Sequence, residues 1–257
     1  MGDFFIQLDD LFPLIGTPAA PLVFDVRRRE AYDADDRVLP TARWRDHTAV
    51  EEWGAKLPSG LRVVVYCVHG HQVGQVAAAM LRSSGLDAAA LAGGIEAWRV
   101  AGGITILKPE NRDTTDHGGS RWMLRTGPGI EEIGCAWLVR RFLDTDATFL
   151  YVAADQVAAA ATELGARAVA PPGGDGGSAL SDLLERSGID DAAVHRVSEI
   201  VQAAAGGLSH VPEAPGLALT AAGLADGPGR DDKRLSDGFA LLDALYAGCR
   251  AEAEAAT

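Results

Sequence analysis

A cysteine followed by a loop rich in glycine and histidine is the strongest chemical feature of this 257-residue sequence. Cys67 ends an apolar, β-rich run, and a helix-like stretch begins at Val73. A loop between a strand and a helix directs its backbone N–H groups, and the positive end of the helix, toward the sulfur. This environment favours a thiolate and also an anion resting above it.

The predicted site has one catalytic residue, Cys67, and a backbone cradle that binds the substrate. The cradle consists of Val68, His69, Gly70, His71, Gln72 and Val73. Gly70 permits the positive φ that a tight loop needs, and the two histidines add positive charge when protonated. The alternative interpretation is a strand-end cysteine that packs as a small hydrophobic residue. The glycine-bearing loop and the helix after it favour a reactive site.

The last residue of the cradle distinguishes sulfur transfer from phosphoryl transfer. A phosphatase loop needs a clamp for the phosphoryl group, typically an arginine at the end of the loop. That position holds Val73, and the nearest following arginine is Arg82. Phosphatase chemistry is therefore disfavoured, and a softer sulfane sulfur atom is the predicted cargo.

The elements that position this loop are predicted from alternating apolar runs and helical patterns. Strands are expected at 22–26, 63–67 and 88–92, and helices at 73–82 and 95–100. Alternating strands and helices predict an α/β fold with an open parallel sheet and flanking helices, in which sites lie at the carboxyl ends of strands. Cys67 is at such an end.

A polar stretch at 108–119 predicts a linker between a first domain at 1–107 and a second at 120–257. The second domain is predicted to be a mainly helical α/β unit. Strands are expected at 121–125 and 148–152, and helices at 130–143, 155–164, 178–186, 192–205 and 235–249.

Candidate functional groups in the second domain have structural alternatives. The Gly127-Pro128-Gly129 turn, near Arg125, resembles an anion cradle but is more often simple chain punctuation. Arg141, on an apolar helix face, is a snorkelling side chain or a functional charge. Cys135 and Cys249 lie on apolar helical stripes and are predicted to be core residues.

Composition and charge exclude several partners. Acidic residues outnumber basic ones by 36 to 23, a net charge of −13, so neither nucleic acid nor a membrane surface is an expected partner. No apolar run approaches the ~20 residues of a membrane span, and the amino terminus has no basic segment typical of a signal peptide. Three cysteines are too few for a disulfide scaffold, which predicts a cytoplasmic protein.

No metal or other cofactor is predicted. His117, His195 and His210 lack the spacing of metal ligands. The sequence leaves the oligomeric state open.

Residues 1–107 resemble single rhodanese domains, a family of sulfurtransferases. The resemblance rests on the run from Val23 to Arg27 with Glu30 and Tyr32, on the loop after Cys67, and on the motif from Leu91 to Trp98. It implies that Cys67 is the nucleophile and that its six-residue loop holds sulfur rather than phosphate. Asp25 and Arg27 are expected to organise the fold. The family's glycine-histidine-isoleucine-proline-glycine-alanine element is altered here at 38–42.

This resemblance implies a two-step transfer. Thiolate Cys67 takes the outer sulfur of thiosulfate or a persulfide, and the resulting persulfide passes it to a thiol or to cyanide. The competing class is a binding module in which Cys67 senses oxyanions or reactive sulfur without turnover.

The second half is similar to the carboxy-terminal domain of chromate resistance proteins of the ChrB type. The similarity rests on segments at 121–125, 133–144 and 149–152, with further matches at 212–217 and 243–246. Relatives usually carry histidine and cysteine in a segment that here, at 171–178, contains neither. The resemblance links the predicted sulfur chemistry to resistance against chromate, an oxyanion like sulfate.

Overall fold

The computed structural model describes residues 2–108, 119–169, 178–207, 210–224 and 229–255. The chain divides into two compact units, Met1–Asp116 with Arg141–Leu143, and His117–Arg140 with Asp144–Thr257. Most of the predicted linker, residues 109–118, lies outside the described residues. The boundaries at 107 and 120 therefore stay a prediction.

The first unit is built on a parallel sheet of five strands. These strands are β1 (Phe5–Ile6), β2 (Leu22–Asp25), β4 (Arg43–Trp44), β5 (Arg62–Tyr66) and β6 (Asp87–Leu91). Their order across the sheet is β1-β6-β5-β2-β4. Two short strands, β3 (Arg37–Val38) and β7 (Ile106–Leu107), form a separate antiparallel pair. The helices are α1 (Leu8–Leu11), α2 (Arg29–Asp33), α3 (Val50–Gly54), α4 (Gln72–Ser83) and α5 (Gly94–Val100). The predicted open parallel sheet with flanking helices is confirmed.

The centre of this sheet is apolar on both faces. In β5 the run Val63–Val65 is fully buried, as expected for a parallel strand covered on both sides. Helix α4 packs on one face through Ala77, Ala78 and Leu81, opposite small residues of β6. Its neighbours β2 and β6 hold β5 in register, with Asp25 opposite Tyr66 and Ala90 opposite Val65. The strand that leads to Cys67 is therefore rigidly placed.

A buried polar network lies at the carboxyl end of β2. Arg27 donates to Asp25 through Nε and Nη2, at 2.6–3.0 Å, and to Asp35 through Nη1 at 2.6 Å. The Tyr66 hydroxyl donates to Asp25 at 2.9 Å. Burial lowers the pKa of the Arg27 guanidinium, but hydrogen bonds to Asp25 and Asp35 and the charge of Asp25 raise it above its usual range. The prediction that Asp25 and Arg27 organise the fold is confirmed.

The altered family element contains a strained residue. Thr41 has φ of +60° and is buried. Thr41 stands where the family element has glycine, directly after Pro40. A β-branched side chain is unfavourable in this left-handed region. The departure from the family pattern therefore coincides with backbone strain.

The second unit has a small parallel sheet covered by helices. Its strands β8 (Arg121–Arg125), β9 (Thr148–Val152) and β10 (Arg167–Ala168) follow the order β10-β8-β9. Its helices are α6 (Ile130–Leu138), α7 (Val157–Glu163), α8 (Ala179–Ser187), α9 (Ala192–Gly206), α10 (Ala214–Ala222) and α11 (Asp231–Ala255). A 3-10 turn, Ala154–Gln156, precedes α7. The mainly helical α/β prediction is confirmed.

The predicted helix at 130–143 is wrong in its last turn. After Leu138 the chain continues as a π-helix, Val139–Leu143, and Asp144 N–H donates to the Val139 carbonyl at 2.7 Å. Arg140 donates to the carbonyls of Thr145 and Ala147, which anchors the chain after the helix. These bonds favour the wider turn over a continued α-helix. Of the described helices, none combines the length and apolarity needed to cross a bilayer.

Candidate functional site

Cys67 lies directly after β5, at the carboxyl edge of the sheet. The residue is 6% exposed. Its thiol donates to the carbonyl of His71, with Sγ 3.9 Å from the oxygen. Gly74, in the first turn of α4, is beside it, and a Cβ on that glycine would lie 3.4 Å from Sγ. Glycine at this position keeps space open next to the sulfur.

The loop after Cys67 is held by the turn that opens α5. Ile95 N–H donates to the Cys67 carbonyl at 3.0 Å, and Glu96 N–H donates to the Val68 carbonyl at 3.1 Å. On the other side, Gln75 of α4 donates through its side-chain amide to the Gly70 carbonyl at 3.0 Å. The carbonyls of the loop are thus turned toward neighbouring elements.

Two glycines make this close approach possible. Gly70 has φ of +67° and Gly94 has φ of +63°, both in the left-handed region. A Cβ on Gly94 would lie 2.4 Å from the Cys67 carbonyl oxygen and 2.5 Å from the Gly70 nitrogen. A Cβ on Gly70 would lie 2.6 Å from the Gly93 nitrogen. The two backbone segments therefore meet with no room for a side chain.

The N–H groups of the loop contrast with its carbonyls. Within the described part of the chain, no residue accepts a hydrogen bond from the backbone N–H groups of residues 69–73. His71 is the residue before α4, so several of these groups belong to the first turn of that helix. Unpaired N–H groups at a helix start are a general anion-binding arrangement. The unpaired N–H groups support the predicted cradle at Val68–Val73, which stays a prediction.

The two histidines of the loop lie together at its surface. His69 Nδ1 is 3.0 Å from Glu96 Oε2, and both side chains are more than half exposed. The rings of His69 and His71 are 5.7 Å apart. Glu96 therefore contacts the loop twice, through its N–H group and through its carboxylate.

Sequence reasoning assigned no role to Glu96 or to the glycines before it. The order of the strands is the signal that would have placed these residues beside the loop. Because β5 and β6 are neighbouring parallel strands, the segments that follow them meet at one edge of the sheet. The motif at 91–98 follows β6 and therefore contacts the loop that follows β5.

Comparison with known proteins finds two families along the chain. Residues 10–101 match the rhodanese-like domain family, and residues 122–249 match the ChrB, C-terminal domain family. This chain joins a rhodanese-like domain to a ChrB C-terminal domain.

Individual relatives match different parts of the chain. Protein ChrB of Cupriavidus metallidurans is 30% identical over 147 residues, which cover 52% of this chain and 42% of that protein. The match thus spans less than half of the relative's length. Among solved structures, a rhodanese-related protein from Thermoplasma volcanium is 23% identical, with a TM-score of 0.36, over 41% of this chain and 100% of that one. A rhodanese homolog from Thermus thermophilus is 26% identical, with a TM-score of 0.30, over 37% and 99%.

In the ChrB C-terminal domain, the Gly127-Pro128-Gly129 turn is not an open anion cradle. Gly127 N–H donates to Asp231 and Gly129 N–H donates to Glu132, both at 2.7 Å. Arg125 also donates to Glu132, at 2.8–3.0 Å. The protein's own carboxylates occupy these donors, so the structural interpretation of the turn is correct.

The other two cysteines are core residues of this domain, as predicted. Cys135 is fully buried in α6 and Cys249 is buried in α11. Burial raises the pKa of both thiols, and nearby glutamates raise it further. Arg141 is half-buried.

The remaining candidates lie apart from the Cys67 loop in sequence. His195 and His210 are exposed. His117 and most of the segment at 171–178 lie outside the described residues. The described residues contain no group of three or more His, Cys, Asp or Glu side chains able to hold a metal ion.

Proposed function

We propose that this protein is a sulfurtransferase that carries sulfane sulfur on Cys67. The observation that carries the proposal is the placement of Cys67 in a rhodanese-like domain, where a loop with unbonded N–H groups follows it. Those groups stabilise a thiolate before transfer and an anionic persulfide after it. The open space beside Gly74 leaves room for the second sulfur.

The proposed reaction has two balanced steps. In the first, the Cys67 thiolate attacks the outer sulfur of the donor, the donor's S–S bond breaks, and sulfite leaves thiosulfate or a thiol leaves a persulfide. In the second, a thiol or cyanide attacks the terminal sulfur, the Cys67 S–S bond breaks, and the thiolate returns. No external oxidant or reductant is needed, because the sulfane sulfur moves with its oxidation level unchanged.

We further propose that this chemistry serves chromate or oxyanion resistance in the cytoplasm. The support is the ChrB C-terminal domain and the similarity to Protein ChrB. Chromate oxidises thiols, so a protein that handles activated sulfur suits a cell under that stress.

A second candidate is a sensor that loads sulfur or an oxyanion at Cys67 without turnover. The observation that favours it is the low exposure of Cys67 and the donation of its thiol to the His71 carbonyl. A thiol enclosed in this way presents little surface to a second molecule that would accept the sulfur.

Two measurements separate these candidates. Mass spectrometry after treatment with thiosulfate or a persulfide is expected to show one added sulfur on Cys67. A thiosulfate:cyanide assay is then expected to show many turnovers per protein, whereas a sensor would transfer at most one sulfur.

Cys67→Ser is expected to abolish loading and turnover, because a serine alkoxide is scarcely available at neutral pH and forms no persulfide. Cys135→Ser is the matched control, since that thiol lies in the core of the other unit. Turnover that survives Cys67→Ser would contradict the proposal.

A further inference from the structure

The charge distribution around the Cys67 loop indicates which donor it accepts. We infer that Cys67 takes sulfur from an organic persulfide in preference to the thiosulfate dianion, an inference that rests on the sulfurtransferase proposed above. The two donors bring different formal charges to the loop, and the charges that surround it favour the less charged donor.

The loop and the helix starts beside it contain no lysine or arginine. Residues 67–75, which include the first turn of α4, have only histidines as basic residues. The first turn of α5 contains one charged residue, Glu96. Its carboxylate is 3.0 Å from His69. The carboxylate of Glu96 therefore places a negative charge of the protein itself against the loop.

Three arginines of this unit are engaged elsewhere. Arg82 is ten residues beyond the start of α4, about 15 Å along the helix axis, and donates to the carbonyls of Gly2 and Ala88. Arg99 donates to Asp35 at 2.6–2.8 Å. Arg27 is buried against Asp25 and Asp35.

Arg28, Arg29 and Arg45 also follow strands at this edge of the sheet. Arg28 is the exposed residue before α2, and Arg29 in that helix pairs with Asp33 at 2.8 Å. Arg45 lies farther along the edge. It follows β4, which is two strands away from β5, so about 10 Å separates the two strand ends. Its guanidinium lies 5.9 Å from the Phe24 ring centroid and donates to the Trp44 carbonyl. Its charge therefore lies over β2, the strand next to β5, where solvent at the sheet edge partly screens it.

The two donors make different demands on this environment. Thiosulfate brings two negative charges, and its attack by the Cys67 thiolate places three on reactants that end as the persulfide anion and sulfite. A persulfide reacts as R–S–SH, with no charge at its sulfur. The Cys67 thiolate attacks the outer sulfur, the S–S bond of the donor breaks, and the proton passes to the leaving R–S⁻, which gives the Cys67 persulfide anion and R–SH with one negative charge in all. The ionised form of the donor, R–S–S⁻, brings one negative charge, one fewer than thiosulfate. A cradle of N–H dipoles without a cation suits the second reaction better.

The surface next to the loop also suits an organic group. Val73 and Val76 are one turn apart on α4, and Val76 is 48% exposed. Gln72 and Gln75, the other polar residues at the start of this helix, are uncharged. This apolar, uncharged rim can contact the carbon skeleton of a persulfide. It has no cation to pair with the charged oxygens of thiosulfate.

The test measures kcat/KM for sulfur loading with two probes, thiosulfate and cysteine persulfide, and subtracts the background of Cys67→Ser. Cysteine persulfide is expected to be favoured by tenfold or more at pH 7.5 and low salt. Added KCl is expected to raise kcat/KM for thiosulfate about threefold, because salt screens repulsion between like charges, and to change that for cysteine persulfide less than twofold.

A charge placed on the loop sharpens the test. Gln72, exposed at the first position of α4, keeps its backbone N–H group in any variant. Gln72→Lys is expected to raise kcat/KM for thiosulfate about tenfold relative to cysteine persulfide. Gln72→Met, which adds no charge, is expected to keep the ratio of the two donors within about twofold of the native value.

The outcomes distinguish this inference from the function on which it rests. A donor ratio below tenfold, or a thiosulfate rate that falls as KCl is added, would overturn the persulfide preference and leave the sulfurtransferase intact. No loading of Cys67 from either probe would refute the proposed function itself.

Discussion

Two turns in this protein share one local design and have opposite electrostatic outcomes. Each follows a parallel strand, contains glycine, and leads into a helix, the first into α4 after β5 and the second into α6 after β8. In the first turn, no described residue accepts the N–H groups of residues 69–73. In the second, Glu132 and Asp231 accept the N–H groups of Gly129 and Gly127.

The third residue of each helix accounts for much of the difference. In α6 this residue is Glu132, whose carboxylate reaches back to the residue before the helix, as in a capping box. In α4 it is Gly74, which has no side chain and is beside the sulfur of Cys67. A helix start is thus closed by an acidic residue or left open by a glycine. The first turn keeps the capacity to hold a ligand.

The largest expected effect comes from adding a methyl group where the first turn meets α5. Gly94→Ala is expected to destabilise the protein by about 3 kcal/mol, because φ is +63° and the new Cβ would lie 2.4 Å from a carbonyl oxygen. Gly129→Ala, in the second turn, is the matched control. Its φ is −75° and the nearest neighbour is the flexible end of Arg125, so a cost within about 1 kcal/mol is expected. Urea unfolding measures both, and equal losses would contradict the contrast.

Alkylation rates compare Cys67, beside the first turn, with Cys135, in the helix that follows the second turn. Cys67 is expected to react with iodoacetamide near pH 7 about 100-fold faster than Cys135, because burial raises the pKa of the Cys135 thiol and so removes its reactive thiolate. Peptide mapping of timed samples gives the rates. In denaturant the rates of Cys67, Cys135 and Cys249 are expected to converge. A native protein labelled first at Cys135 would contradict the comparison.

Gly74→Ala partly closes the first turn without altering its backbone. Its Cβ would lie 3.4 Å from Sγ, in the space assigned to the second sulfur. Sulfur loading is expected to fall about tenfold, while the helix is stabilised by up to about 1 kcal/mol, since alanine is a better helix former than glycine. Loading is followed by mass spectrometry and stability by thermal unfolding. Unchanged loading would mean that the second sulfur lies elsewhere.

The smallest effect is expected in the second turn. Glu132→Gln replaces the charged acceptor of Gly129 N–H and Arg125 with a weaker one, at an expected cost of about 1 kcal/mol. Glu131→Gln is the adjacent control, because Oε1 of Glu131 is buried and accepts no hydrogen bond from the described residues. Chemical denaturation of both variants measures the difference, and an equal or larger loss in the control would show that charge at this helix start, not the capping contact, matters.

The sequence alone determined the longer strands, most of the longer helices and the candidate nucleophile. The strands at 121–125 and 148–152 agree with β8 and β9 at both ends, and the helix at 73–82 is within one residue of α4 at each end. These elements could be predicted because continuous apolar runs and helical periodicity are local signals. The two-residue strands and the helices α1, α2 and α3 were missed, because two to five residues show too little periodicity. Helix α10 was missed as well, and it contains a proline and a glycine in its first turn.

Only the tertiary structure decided which groups meet around each turn. Glu96 contacts His69 because β6 lies beside β5, and Asp231 contacts Gly127 across 104 positions of sequence. The π-helical turn after α6 likewise depends on carbonyls that lie beyond the helix. A residue pattern reports the preferences of a segment, whereas hydrogen bonds between distant segments depend on strand order and packing. The position of Cys67 was therefore readable from the sequence, and the availability of the N–H groups near it was not.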